Sequence, residues 1–123
     1  MAAHIDLGKQ GEQIALEYLK KEGYQVLHTN WRSGINELDI VARKGDFLVV
    51  VEVKTRTGKP LVEPEVAVDF PKQKALIKAA NSYILKHNIS LETRFDIISI
   101  VMHDERHQLH HITDAFYPRM GRI

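Results

Sequence analysis

Apolar residues recur along this chain with two different spacings, and the change of spacing marks its elements. In QGEQIALEYLKKEGYQV, Ile14, Ala15, Leu16, Tyr18 and Leu19 cluster at helical intervals, and Gly23 supplies a stop signal. The spacing predicts a first helix of about ten to sixteen residues. Tyr24 to Trp31 then reads as a strand, and ELDIVAR and DFLVVVEVKT as two more, joined through Lys44-Gly45-Asp46 as a hairpin turn. The third strand is apolar at Phe47, Leu48, Val49, Val50, Val51 and Val53. A run without alternation needs cover on both faces, so this strand belongs in the centre of a sheet.

Beyond it, TGKPLVEPE carries Gly58, Pro60 and Pro64 and predicts a mobile surface loop. Asp69 and Pro71 open a second helix, with Asp69 as N-cap. Ala75, Leu76, Ala79, Ala80, Tyr83 and Ile84 form its inward stripe. RFDIISIVM and QLHHITDAF are the last two strands, around the polar turn His103 to Arg106. The order helix, three strands, helix, two strands predicts a mixed α/β sheet with helices packed against it.

With 123 residues, 44% of them hydrophobic and 27% charged, the chain suits one domain over residues 1–123 with one core. The absence of cysteine excludes disulfides, thiolate nucleophiles and cysteine-based zinc sites. No apolar run approaches the ~20 residues of a membrane span, and MAAHIDLGKQGEQ lacks the regions of a signal peptide. The expectation is a cytoplasmic protein without a membrane partner. A net charge of +1 neither requires nor excludes a nucleic acid, because a basic patch can coexist with an acidic site. No glycine-rich phosphate loop, nucleophile elbow or His-Glu-x-x-His occurs.

What the apolar pattern leaves unexplained is four charges inside it: Glu37, Asp39, Glu52 and Lys54. Buried carboxylates are costly unless paired, hydrogen-bonded or metal-bound. In a strand, positions i and i+2 share a face, so Glu37 goes with Asp39 and Glu52 with Lys54. A two-residue Gly45-Asp46 turn would set Asp39 opposite Glu52 and Glu37 opposite Lys54. A three-residue turn would separate the pairs unless a bulge intervened. With the first register, two repelling carboxylates would be relieved by a hard cation such as Mg²⁺, and Lys54 could stabilise charge developing on a phosphate oxygen. The plain alternative is a structural Glu52–Lys54 ion pair at a strand end.

Asp39, followed after a turn by Glu52-Val53-Lys54, resembles the signature of the PD-(D/E)xK nuclease superfamily. More of the chain, through GEQIALEYLKKEGY, NELDIVA, VVEVKTR, RFDIISI and ITDAF, resembles the YraN-like family of uncharacterised proteins, whose layout is similar to Holliday-junction resolvases. The resemblance implies a restriction-endonuclease-like αβββαβ core. It also implies a metal-dependent nuclease acting on DNA, branched or structured DNA included. Asp39 and Glu52 would hold Mg²⁺ or Mn²⁺ with Glu12 assisting, and Lys54 would sit beside the attacking water. Asn36 stands where the family usually has glycine, and Leu38 where the superfamily name has proline. Resolvase-like relatives act as dimers, so a homodimer is implied as well.

Other residues stay open between roles. Glu37 is a supporting group of the site or an exposed edge residue. Gln73 reaches the site from the second helix or serves as a cap. Arg56, Lys59 and Lys72 contact nucleic-acid phosphates or are solvated. His103, His107, His110 and His111 straddle a predicted hairpin, with 110 and 111 facing opposite ways, and read as structural or surface residues. Asp96 is expected to pair with Arg94, and Trp31 to anchor the core. Against the nuclease stand two rivals: a non-catalytic nucleic-acid- or protein-binding module on a nuclease scaffold, and a scaffold with a protein partner alone.

Overall fold

The computed structural model describes residues 6–58 and 68–118. Helix α1 spans Leu7–Lys21, followed by strands β1 (Gln25–Ser33), β2 (Asn36–Lys44) and β3 (Phe47–Thr57). Helix α2 spans Phe70–His87, and β4 (Glu92–His103) and β5 (Arg106–Phe116) close the fold. The strands form one sheet in the order β1-β2-β3-β4-β5. All neighbours are antiparallel except β3 and β4, which are parallel. The return from β3 to a parallel β4 needs a crossover, and α2 lies in it. This is the mixed α/β sheet that the apolar spacing predicts, with the order of the restriction-endonuclease-like core that the resemblance implies.

Local signals set the helix ends, with Gly23 and Asp69 in the places expected of them. Asp6 caps α1 through Gly8 and Lys9, and Gly23, at φ 90°, follows its end. Asp69 caps α2 through the Lys72 N–H, and Asn88 ends it in the left-handed conformation. The strands run a residue or more past their predicted ends, because ladder pairing extends into polar sequence. The loop predicted at TGKPLVEPE, with Lys59, lies almost wholly outside the described residues.

Each face of the sheet carries its own core. Ala15 and Leu19 of α1 cover Ile40, Val49, Val51, Ile98 and Ile100. On the other face Leu76, Ala79, Ala80 and Tyr83 of α2 pack on Leu38, Val41, Leu48 and Val50. Strand β3 contributes to both, which is why its sequence is apolar without alternation. Gly11 brings α1 close to β3: a Cβ there would stand 1.9 Å from Thr55 Oγ1. Trp31 packs against the α2-side core, edge-on to Tyr83.

A second buried polar group lies on the far side of α1. Asp96 is 1% exposed and takes hydrogen bonds from Arg94 Nε (2.9 Å), Arg94 Nη2 (2.8 Å) and the Asp114 N–H (3.0 Å), with His111 Nε2 at 2.7 Å. His111 Nδ1 meets Tyr18 Oη at 2.9 Å, so the network ties α1 to β4 and β5. Burial alone would raise the Asp96 pKa, but His111, Arg94 and the Asp114 N–H together hold it below the usual value. The expected Arg94–Asp96 pair is present. His111 is structural, and His107 and His110 face solvent.

Candidate functional site

The β2–β3 hairpin turns through two residues, Gly45 and Asp46, between the paired Lys44 and Phe47. Only the first has positive φ (59°), as a II′ turn requires. Pairing then runs to Ile40 with Val51, so the next position sets Asp39 opposite Glu52. Here the ladder ends and a side chain replaces backbone: Asp39 Oδ2 accepts the Val53 N–H at 2.9 Å. Glu37 and Lys54, opposite each other by the same count, have gone separate ways. Glu37 pairs with Arg32 at 3.7 Å on the β1 side, while Lys54 Nζ lies 3.8 Å from Glu52 Oε2.

Why the strands part at Asp39 is visible on its other flank. Thr29 pairs with Ile40 and Trp31 with Leu38, leaving Asn30 facing Asp39. Asn30 has φ 51°, a left-handed conformation that asparagine tolerates better than most residues. At this level both strands lose their alternation. His28 and Trp31, three apart, both contact Tyr83, and Leu38 and Val41, three apart, both enter the α2-side core. Regular strands repeat every two residues, so a matched irregularity turns both strands over together and keeps their register. Asp39 is thereby released from the ladder. Asn36, which stands where the family usually has glycine, pairs with Ser33, and Gly34 (φ 62°) takes the turn.

Asn30 also steadies α1's contribution, because its Nδ2 donates to Glu12 Oε2 at 2.9 Å. Glu12, Glu37, Asp39, Asn30 and Lys9 line one cleft of about 350 Å³, with Val53 at its base. Glu52 sits behind it, 5% exposed. Its Oε2 has two ammonium neighbours, Lys54 and, at 3.6 Å, Lys72 from the first turn of α2. Its Oε1 is buried with no hydrogen-bond partner.

The electrostatics follow from this placement. Burial, then the charge of Asp39, push the Glu52 carboxyl up to about 7 despite Lys72 and Lys54. Asp39 is also raised, chiefly by burial, against the opposing hydrogen bond from Val53. As an anion, Glu52 leaves Oε1 unsatisfied; once protonated it donates to Asp39. The titrations of the two carboxyls are thus linked. Glu12 is raised by burial and, more weakly, by Asp39 and Glu37, with Asn30 opposing.

The structure therefore brings together Asp39, Glu52 and Lys54, with Glu12 and Glu37 on the walls of the adjoining cleft. Among the described residues no group of three acidic or histidine side chains is close enough to hold a metal ion by itself. Gln73 lies elsewhere, donating to the Val68 carbonyl at 3.0 Å and lining a cleft with Phe116 and Tyr117. Arg56 lies two residues beyond Lys54 on β3, half-buried. Asn30 was not legible in the sequence, and Lys72 was legible only as a phosphate contact, not as a neighbour of Glu52. Lys72 reaches Glu52 only through tertiary packing. Asn30's role lies in a backbone conformation whose one signal is asparagine's tolerance for it.

Fold and site together define a small α/β domain with a restriction-endonuclease-like core and an acidic pair where two central strands diverge. The chain belongs to the family described as "Uncharacterised protein family UPF0102", whose profile matches residues 11–100; this is the YraN-like family that the sequence resembles. It is 48% identical to a UPF0102 protein of Bacteroides thetaiotaomicron over 118 residues, 96% of this chain and 98% of that one. It is 44% identical over 117 residues to UPF0102 protein FP2501 of Flavobacterium psychrophilum, covering 95% and 98% of the two chains. A Porphyromonas gingivalis relative is 51% identical over 102 residues, 83% of this chain and 76% of that one. Among the described residues no helix is long and apolar enough to cross a membrane.

Proposed function

We propose that this protein is a divalent-metal-dependent nuclease that hydrolyses DNA phosphodiester bonds at the Asp39–Glu52 pair, beside the acidic cleft. The observation that carries the reading is the buried Glu52 Oε1, which has no hydrogen-bond partner and sits opposite a second carboxylate. An orphaned carboxylate oxygen in a site that raises both its acids fits a cation better than a structural ion pair, whose oxygens would be satisfied. Mg²⁺ takes one or two carboxylates and keeps several waters, so the Asp39–Glu52 pair suffices for it, with Glu12 on the wall of the same cleft. Mn²⁺ is bound by the same oxygen chemistry.

Bound there, the cation would supply charge to polarise the phosphate and to acidify a water. The chain's own groups supply the rest. The Val53 N–H fixes Asp39 by one oxygen. Lys54 and Lys72 place ammonium groups beside Glu52, where they favour its anionic form against burial and offer donors to an approaching phosphate. Lys9 lines the cleft, and Arg56 continues the Glu52–Lys54 face of β3; both suit backbone phosphates, which position a substrate without reading its sequence.

Cleavage of linear, nicked and four-way DNA should require Mg²⁺ or Mn²⁺ and disappear in Asp39→Ala. Equal activity in wild type and variant would refute the assignment. Salt-sensitive DNA binding without turnover, unaffected by Glu52→Gln, would favour the binding module on a nuclease scaffold.

A further inference from the structure

The hairpin between β1 and β2 stands at the same end of the sheet as the acidic cleft. Its last pair is Ser33 with Asn36, so only Gly34 and Ile35 form the turn. Ile35 is 96% exposed, the most exposed large apolar side chain among the described residues. An isoleucine left in water forgoes the favourable burial of its side chain, and turn positions ordinarily favour Gly, Asn, Asp or Ser. The hairpin is paired up to its tip, so Ile35 is presented on a firm support rather than on a loose loop. Immediately below it, Arg32 is an exposed cation, and Glu37 and Asp39 on the next strand line the cleft.

We propose that Ile35 is a wedge that enters between bases of a branched nucleic acid while a phosphate of the same strand lies at the acidic cleft beside the Asp39–Glu52 pair; this rests on the nuclease reading above. Apolar side chains of this size open a base step by partial unstacking. Unstacking is least costly where pairing is already interrupted, which selects forks and junctions over continuous duplex. Arg32 beside the tip is placed for the adjoining phosphates. The geometry also fixes a distance. Four residue steps lead from Ile35 in the turn to Asp39, roughly 13 Å at about 3.3 Å each.

The test uses wild type, Ile35→Leu and Ile35→Ser as full chains, with a forked duplex carrying 2-aminopurine at the branch and a linear duplex of equal length. Ca²⁺ replaces Mg²⁺ so that binding is read without turnover. Wild type and Ile35→Leu should brighten the 2-aminopurine. Ile35→Ser should not, and its fork-over-linear affinity ratio should fall roughly tenfold. Equal melting temperatures across the three proteins would show that the change is not one of folding. Unchanged brightening in Ile35→Ser, or no fork preference in wild type, overturns the wedge while leaving the nuclease reading standing. A failure to bind either DNA overturns both. A dimer that Ile35→Ser dissociates would assign the tip to a second copy and also overturn the proposal.

Discussion

Replacing Glu52 by glutamine is expected to stabilise the metal-free protein, and to do so only above mildly acidic pH. Glu52 is almost wholly buried, and its carboxyl is raised from 4.5 to about 7 by burial and by Asp39. A carboxyl raised on folding favours the native state least when it must ionise there. Wild-type stability is therefore greatest below the unfolded value and falls as pH rises through the interval from about 4.5 to about 7. That interval corresponds to roughly 3 kcal/mol at about 1.4 kcal/mol per pH unit. Glutamine keeps the shape without the charge and removes the slope. Urea unfolding followed by the fluorescence of Trp31, the single tryptophan, should show the two proteins alike at pH 4.5. At pH 8 the variant should lead by about 2–3 kcal/mol, or roughly 10 °C in melting temperature. Mg²⁺ should narrow the gap by stabilising wild type alone. A variant less stable than wild type at pH 8, or a difference independent of pH, would refute the reasoning.

Three further outcomes follow from the same structure. Gly11→Ala puts a methyl group 1.9 Å from Thr55 Oγ1 and 2.9 Å from its Cβ, so α1 must lift from β3. Denaturation should show a loss of about 1–3 kcal/mol, partly recovered by Thr55→Ala in the same chain, with metal-dependent cleavage reduced because Glu12 is the next residue. Asp96→Asn removes the anion that Arg94 and His111 face in a dry site; urea titration should give a loss of about 3–5 kcal/mol, with cleavage per folded molecule retained because no residue of the network lines the cleft. Asn30→Ala strains a left-handed residue and removes the donor to Glu12; a stability loss of about 1–2 kcal/mol should accompany weaker metal binding by calorimetry.

Much of this was legible in the sequence because it depends on short-range rules. Strand β3 was central because Phe47 to Val51 offered no polar face, and Asp69 announced a helix start by its own capping chemistry. The hairpin register stayed open in the sequence, and the structure shows Gly45 taking the positive φ of a two-residue turn. The alternatives were two, and the structure holds the one that sets Asp39 opposite Glu52. The limit came where strands stop being regular. Period-two reasoning set Glu37 against Lys54, whereas the paired irregularity at Asn30 and Asp39 carries Glu37 to the α1 side of the cleft and leaves Lys54 with Glu52. Lys72 lies 20 residues from Glu52 in sequence, and its approach is set by how α2 packs on Leu38 and Val41, which no local pattern encodes. Gln73, its neighbour on the same helix, points towards Val68 instead, and one position on a helix is enough to make that difference.

The most direct test of the acidic pair as a cation site is a crystal soaked in Mn²⁺ at pH 8 and measured at a wavelength where manganese scatters anomalously. An anomalous peak between the carboxylates of Asp39 and Glu52, absent from Asp39→Ala crystals, is the expected result. Crystals that show no peak there, with Glu52 still held only by Lys54 and Lys72, would contradict it.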